Sequence, residues 1–286
     1  MMKRMAAGWM AVLILCWAPL AQAQRIDRDS PLRDGRKARI DARENRGTWQ
    51  LLRSAPTPDD NKEEKTEETK AEELPANASI TLGLAFDRDE AGTRTHSTPI
   101  SFSYQTAGER WWKFKVEGDG HVRSRERNAD AIDGVSDVLL RVQHALGSGF
   151  IAGVGLSLPS KDEHGSMTVS QSAKLIYARS FGSTKWGTYL SGSLSHENGT
   201  PKDQSPYTKV MYGELSYGWT DRHVLLANAT YVRHSGTGST DMGFEYDFPI
   251  SRSGRLNTVD GALSLVRGIT NGARHTTVEL GVTWRF

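Results

Sequence analysis

From Ala78 to Phe286 the chain alternates apolar and polar residues again and again, with a period of two. Ile80, Leu82, Leu84 and Phe86 share one face of an extended segment, and Thr81, Gly83, Ala85 and Asp87 share the other. The same pattern recurs around Ile100–Tyr104, Trp112–Val116, Val138–Val142, Val154–Leu158, Val169–Tyr177, Trp186–Leu194, Met211–Trp219, Leu225–Tyr231, Met242–Phe248, Val259–Leu265 and Val278–Phe286. Period two over so many short runs predicts an all-β chain of about twelve strands. Sheets of that kind are either sandwiches with a protein core or barrels with lipid on one side. The two differ in what covers the apolar face.

The connections and the tryptophans distinguish them. If the first strand runs outward, DRDEAGTRTHST, EGDGHVRSRERNADAIDGVS, PSKDEHGS and HENGTPKDQSP fall in the outer places, where a transmembrane barrel keeps its longer loops. The shorter TAGER, LGSG, SFGSTK and WTDR fall in the inner places. Near the end the rule is broken, with HSGTG and TNGA short outside and PISRSGR comparatively long inside. With this orientation Trp112 and Trp186 begin outward strands, while Trp219 and Trp284 end inward ones, all in phase with the apolar face. Indole prefers the membrane–water boundary, so these four residues predict one aromatic girdle. The expected fold is therefore a transmembrane antiparallel β-barrel over 78–286. Only half its strand residues need be apolar, which is why an overall hydrophobic content of 37% does not argue against it.

The final residues, VELGVTWRF, alternate up to the last side chain. Lipid offers no hydrogen bonds, so this strand must pair with the first and leave no edge. Val282, Trp284 and Phe286 also resemble the C-terminal signal that the outer-membrane barrel assembly machinery reads, which implies that machinery as a partner, with outer-membrane lipid and lipopolysaccharide around the barrel.

The N-terminal part has another character. Lys3 and Arg4, an apolar stretch to Leu20, and Ala21-Gln22-Ala23 together read as a signal peptide over 1–23, which predicts export to the outer membrane. The one cysteine, Cys16, lies inside it, and LILC lacks the small residue that precedes a lipidated cysteine. The mature chain is thus expected to hold no thiol, disulfide or thiolate metal site. Residues 24–77 are dense in charge and poor in aliphatic residues, so they are expected to form a largely disordered periplasmic linker, partly helical at most, with Trp49, Leu51 and Leu52 as its only anchor. With 36 basic against 34 acidic residues there is no basic excess to suggest nucleic acid.

Out of phase with the lipid face lie Lys113, Lys115, Glu117, Arg141, Lys174, Glu214, Asp241, Glu245, Asp247, Asp260, Glu279 and Arg285, with Asp87 and Asn228. These are the expected lumen-lining residues, and mixed charge implies either a wet passage or an interior plugged by ion pairs. A narrow passage is favoured, because twelve strands lie between small filled barrels and wide pores.

Three stretches sharpen this reading. GVSDVLLRVQHAL, GFIAGVGLSLPSKD and GTGSTDMGFEYDF resemble the bacterial outer-membrane family named for the meta-pathway of phenol degradation, over roughly 134–286. Lys161 stands where that family often has glycine. The resemblance implies an outer-membrane channel for small, often hydrophobic or aromatic, compounds. The alternatives are a lipid-modifying or proteolytic barrel enzyme, or a structural or adhesive barrel that uses the loop from His121 to Val135. His164 with Ser166, His234 with Ser235, and His96 with Ser97 are serine–histidine neighbours of the type a barrel hydrolase uses, His234 being the best placed. Glu245 and Asp247 have same-face strand spacing. None of these completes a catalytic constellation, so the expectation is no enzyme and no cofactor. Asp119, Glu126, Asp130 and Asp133 are interleaved with arginines and lack calcium-ligand spacing, so no metal is assigned.

Overall fold

The computed structural model describes residues 36–40, 42–43, 76–126, 130–160, 168–181, 185–200, 205–220, 223–234, 237–253, 257–270 and 274–286. The signal peptide and most of the 24–77 segment lie outside them. The strands are β1 (Asn77–Asp89), β2 (Arg94–Gln105), β3 (Trp112–Arg125), β4 (Ala131–Gly134), β5 (Val138–Gly147), β6 (Phe150–Leu158), β7 (Ser170–Ser180), β8 (Trp186–Glu197), β9 (Tyr207–Gly218), β10 (Val224–His234), β11 (Thr237–Ser253), β12 (Asn257–Gly268) and β13 (His275–Arg285). With β4 set aside, each strand pairs antiparallel with the next in sequence, and β13 pairs with β1, so twelve strands close into a barrel. The short β4 folds back on the outer end of β3, opposite Val122–Arg125.

Closure explains the C-terminal strand. Ile80 lies opposite Trp284 in the β1–β13 ladder, and the Ala78 and Phe286 backbones exchange two hydrogen bonds of 2.9 Å. The last residue is thus itself part of the seam. Asn77 and Phe286 share one end of the barrel, called here the inner end.

The apolar face points outward. Leu82, Leu84, Phe102, Leu190, Met211, Leu265 and Val278 are exposed, Phe244 to 70%, while their polar neighbours are buried. Large aliphatic and aromatic residues exposed in this number exceed the patches a soluble monomer tolerates, and lipid is the solvent that makes them favourable. Trp112, Trp186, Trp219 and Trp284 are all exposed near the inner end, and Trp112 stacks on His144 at 4.2 Å. No helix among the described residues is long and apolar enough to cross a membrane.

Some connections are tighter than the sequence suggests. Of DRDEAGTRTHST only Glu90–Thr93 is a turn, held by the Thr93 N–H donating to Asp89 Oδ1 at 2.7 Å and by Gly92 at φ 89°. β1 and β2 continue past the apolar zone through Arg88, Asp89, Arg94 and Thr95. Likewise PISRSGR is mostly strand, with a register shift between Pro249 and Ser251, because proline has no N–H to give the ladder. At the inner end, Gly149 has φ 86° and an added Cβ would meet the Ala178 carbonyl at 2.5 Å, so this turn admits only glycine.

The largest departure is inside. Residues 36–40 and 42–43 are helical (α1) and lie within the barrel. At most partial helix is expected over 24–77, and these residues supply it; what the sequence does not indicate is their place against the lumen wall. The physical reason is charge, because three arginines on α1 meet carboxylates that the strands turn inward.

Candidate functional site

Spacing of i, i+3 and i+7 puts Arg36, Arg39 and Arg43 on one stripe of α1. Arg36 Nη2 donates to Asp87 Oδ2 at 2.7 Å and Nη1 donates to Ser97 Oγ and, at 3.4 Å, to Asp119 Oδ1. Arg39 Nη2 donates to Glu279 Oε1 at 2.7 Å. Arg43 grips Glu245 with two bonds, Nε to Oε1 at 3.0 Å and Nη2 to Oε2 at 2.9 Å. All three arginines and these carboxylates are buried. Paired donors in a fixed fork match a carboxylate closely, which favours arginine over lysine here. Thr277 Oγ1 also donates to Asp87, so that carboxylate is held from the wall as well as from α1.

A different face of α1 is apolar. Ala38 and Ala42, four residues apart, join a buried cluster with Trp111, Ala145, Ile151, Ile176, Ala178, Tyr189, Val210, Tyr212 and Val232. Part of the lumen wall between β5 and β10 is thus lined like a protein core, which the alternation of the sequence did not announce. Trp111 is buried while its neighbour Trp112 faces outward, so the two indoles take opposite sides of the wall.

The direction of α1 follows from its partners. Arg36 meets the outer ends of β1, β2 and β3, whereas an added Cβ on Gly281, nearer the inner end of β13 than Glu279, would sit 2.5 Å from Arg43 Nη1. The helix therefore descends from the outer half toward the inner end.

The other inward residues fall into smaller groups. Lys115 pairs with Glu117, and Arg141 Nη2 lies 3.4 Å from Glu117 Oε1, with Lys113 buried on the same strand. Glu214 accepts the Tyr212 hydroxyl at 2.8 Å. Asp241 lies 3.7 Å from His275 Nε2, and Arg285 pairs with Asp260 near the inner end. Asp247 is half-buried on the face of Glu245, and Asn228 is buried. Of the twelve lumen candidates, then, Glu245 and Glu279 are gathered by α1; the rest are spread round the wall. The arginines of α1 were missed by the sequence reading, although their helical spacing in RKARIDAR was visible.

Beside α1 a polar cavity with about 610 Å³ of empty space, part of it open to solvent, runs along β5–β9. Lys37, Arg141 and Lys174 line it together with serines of β6, β7 and β8. A second, more apolar space lies between α1 and the walls of β1–β3, at Ile40, Thr81 and Pro99.

The one serine–histidine set that is fully described, His96 and Ser97, does not form a pair. His96 packs on Phe86 with ring centroids 5.0 Å apart, whereas Ser97 is buried on the opposite face and accepts Arg36. His234 Nδ1 lies 2.7 Å from Thr208 Oγ1, and Ser235, His164 and Ser166 lie outside the described residues. Asp119 turns inward to Arg36, while Asp133 stays outside against His121 and Arg123. Among the described residues no group of three or more histidine, cysteine or acidic residues is placed to hold a metal ion. Two of the three stretches that carried the family resemblance meet in space: Asp137 Oδ1 accepts the Ser160 N–H at 3.1 Å, and Ser160 Oγ donates to the Val135 carbonyl at 3.2 Å. They clasp the outer ends of β5 and β6.

No protein-family model and no curated protein matches this sequence. Among solved structures, an outer-membrane channel from Pseudomonas putida F1 superposes with a TM-score of 0.55 at 13% identity, covering 80% of this chain and all of that one. The KdgM porin gives 0.48 at 10% identity, covering 73% of this chain and 99% of its own. The CymD monoaromatic hydrocarbon channel gives 0.44 at 9% identity over 74% and 88%. At such identities likeness extends to architecture alone, and the architecture of this chain is that of an outer-membrane β-barrel.

Proposed function

We propose that the chain is exported by its first 23 residues, is assembled into the bacterial outer membrane through Val282, Trp284 and Phe286, and there acts as a narrow channel for small solutes. The inner end is then periplasmic, and lipopolysaccharide faces the outer half of the apolar belt. The observation that carries this reading is the polar cavity beside α1, because a barrel built only as a structural plug gains nothing by leaving charged and hydroxylated walls around open space. The family resemblance of 134–286 and the channel function named for the Pseudomonas protein point the same way. Small hydrophobic or aromatic compounds are the solutes that the resemblance implies.

Planar-bilayer recording of the purified full-length protein tests this. Discrete conductance steps, with uptake of small solutes in liposome swelling, are expected; membranes that stay silent and liposomes that do not swell would refute the channel. A second reading, a barrel closed at rest by α1, is favoured by the buried arginine–carboxylate pairs. It predicts silence from the intact chain and steps from a chain lacking residues 36–43.

A further inference from the structure

We infer that the outer rim of the barrel across β12, β13, β1, β2 and β3 is a binding surface for the phosphate groups of the outer-leaflet glycolipid, lipopolysaccharide, with four arginines as its ligands. The inference rests on the outer-membrane placement proposed above, not on conduction, and adds a site to it.

The pairing register builds the surface. Arg88 lies opposite Arg94, and Arg94 opposite Arg125, so three arginines stand in one row on three neighbouring strands. On the other side of β1 the row continues through Thr276 to Arg267. All five side chains are exposed. Successive residues of a strand face opposite ways, and Arg88 follows Leu82, Leu84 and Phe86 at steps of two, so the row points out of the barrel and away from the lumen. Neighbouring strands are about 4.8 Å apart, which makes the row from Arg267 to Arg125 about 19 Å wide.

Like charges directly opposed across a ladder repel each other. Inside the barrel, each arginine of α1 has a carboxylate to offset its charge. At the outer rim the arrangement differs. Of the acids at this end, Glu90 holds Arg274 at 3.3 Å, and Asp133 lies against His121 and Arg123. Among the described residues no carboxylate pairs with Arg88, Arg94, Arg125 or Arg267. An anion from outside the chain relieves such a row, and phosphate suits arginine well, because the planar fork donates two parallel bonds to two phosphate oxygens.

Position selects a lipid over a free ion. One step down the strands, roughly 7 Å toward the inner end, Leu265, Val278 and Phe86 lie in register as an exposed apolar row. Acyl chains on that row bring a headgroup phosphate level with the arginines, whose own apolar stems reach up from the edge of the belt. The inner rim is built differently. Its outward residues are Trp112, Trp186, Trp219 and Trp284, and its exposed Arg179 stands opposite Thr188 rather than another cation. Such a wall matches a membrane whose anionic headgroups are concentrated in the outer leaflet.

Native mass spectrometry of the detergent-solubilised full chain tests this, with diphosphorylated lipid A, its dephosphorylated form, phosphatidylglycerol and inorganic phosphate as probes. Diphosphorylated lipid A is expected to be retained in preference to the other three. Arg94→Gln, flanked by two arginines, should weaken retention about tenfold, the size of one charge-assisted contact. Arg88→Gln combined with Arg94→Gln should weaken it further, while Arg179→Gln at the inner rim should leave it unchanged. Should Arg94→Gln lose its heat-modifiable gel mobility, Arg125→Gln decides the matter. Equal retention of any of the other three probes, or lipid A retention unaltered in a folded Arg94→Gln or Arg125→Gln variant, would overturn the assignment. Failure of the membrane placement is seen separately, as sedimentation of the full chain away from the outer membrane in a density gradient.

Discussion

The two sides of the lumen use the same strand chemistry to opposite ends. Facing β1, β3, β11 and β13, α1 brings its arginines onto carboxylates until both are buried. Facing β5–β9, the charges of Arg141, Lys174 and Lys37 and the serine hydroxyls look onto open space. One side behaves as the interior of a protein and the other as a surface turned inward. Charge inside the barrel thus does two jobs, holding a helix on one side and lining a cavity on the other.

Removing α1 abolishes the contrast and should have the largest effect. A chain lacking residues 36–43 leaves four wall carboxylates without their arginines, so conductance in planar bilayers should rise severalfold and shift toward cations. Unchanged conductance and ion preference would mean that α1 does not occupy the passage. Next comes a matched pair of single changes. Glu279→Ala strips Arg39 of its carboxylate and should cost roughly 3–5 kcal/mol, as buried pairs do when one member is lost. Lys174→Gln on the opposite side should cost far less, within about 1 kcal/mol. The temperature at which each variant loses its folded gel mobility measures both, and equal losses would erase the distinction between the sides. Arg43→Lys should be milder, about 1.5 kcal/mol, because a lysine keeps the charge but loses one of the two bonds to Glu245. The smallest structural effect is that of salt. Between about 0.1 and 1 M the screening length falls from ~10 to ~3 Å, yet the protease resistance of α1, whose arginine pairs are buried, should barely change.

What the sequence reveals follows the same division. Lipid demands an unbroken apolar exterior, so the outward residues repeat every second position and can be read from any one strand, as Ile80 to Phe86 or Val278 to Phe286 show. The strand order and the tryptophan belt follow from that demand. No comparable rule governs the interior. Arg39 and Glu279 are 240 residues apart in sequence, and nothing local to either marks the other. The stripe of Arg36, Arg39 and Arg43 was written plainly at helical spacing, yet it sits in a charge-rich stretch too short and too polar for a helix to be expected without its partners. Loop lengths misled for a related reason: beyond the apolar zone Arg88, Asp89, Arg94 and Thr95 keep pairing, but with no lipid to face they carry no hydrophobic period.

The route of the chain gives α1 one more property. α1 runs toward the end where β1 begins, and residues 44–76 connect the two in sequence. Departure and return of the helix therefore require no strand to unzip, and they follow first-order kinetics at any protein concentration. In that sense the helix is a tethered intramolecular ligand, present at an effective concentration independent of the amount of protein. Any soluble competitor for the same carboxylates has to contend with that fixed value.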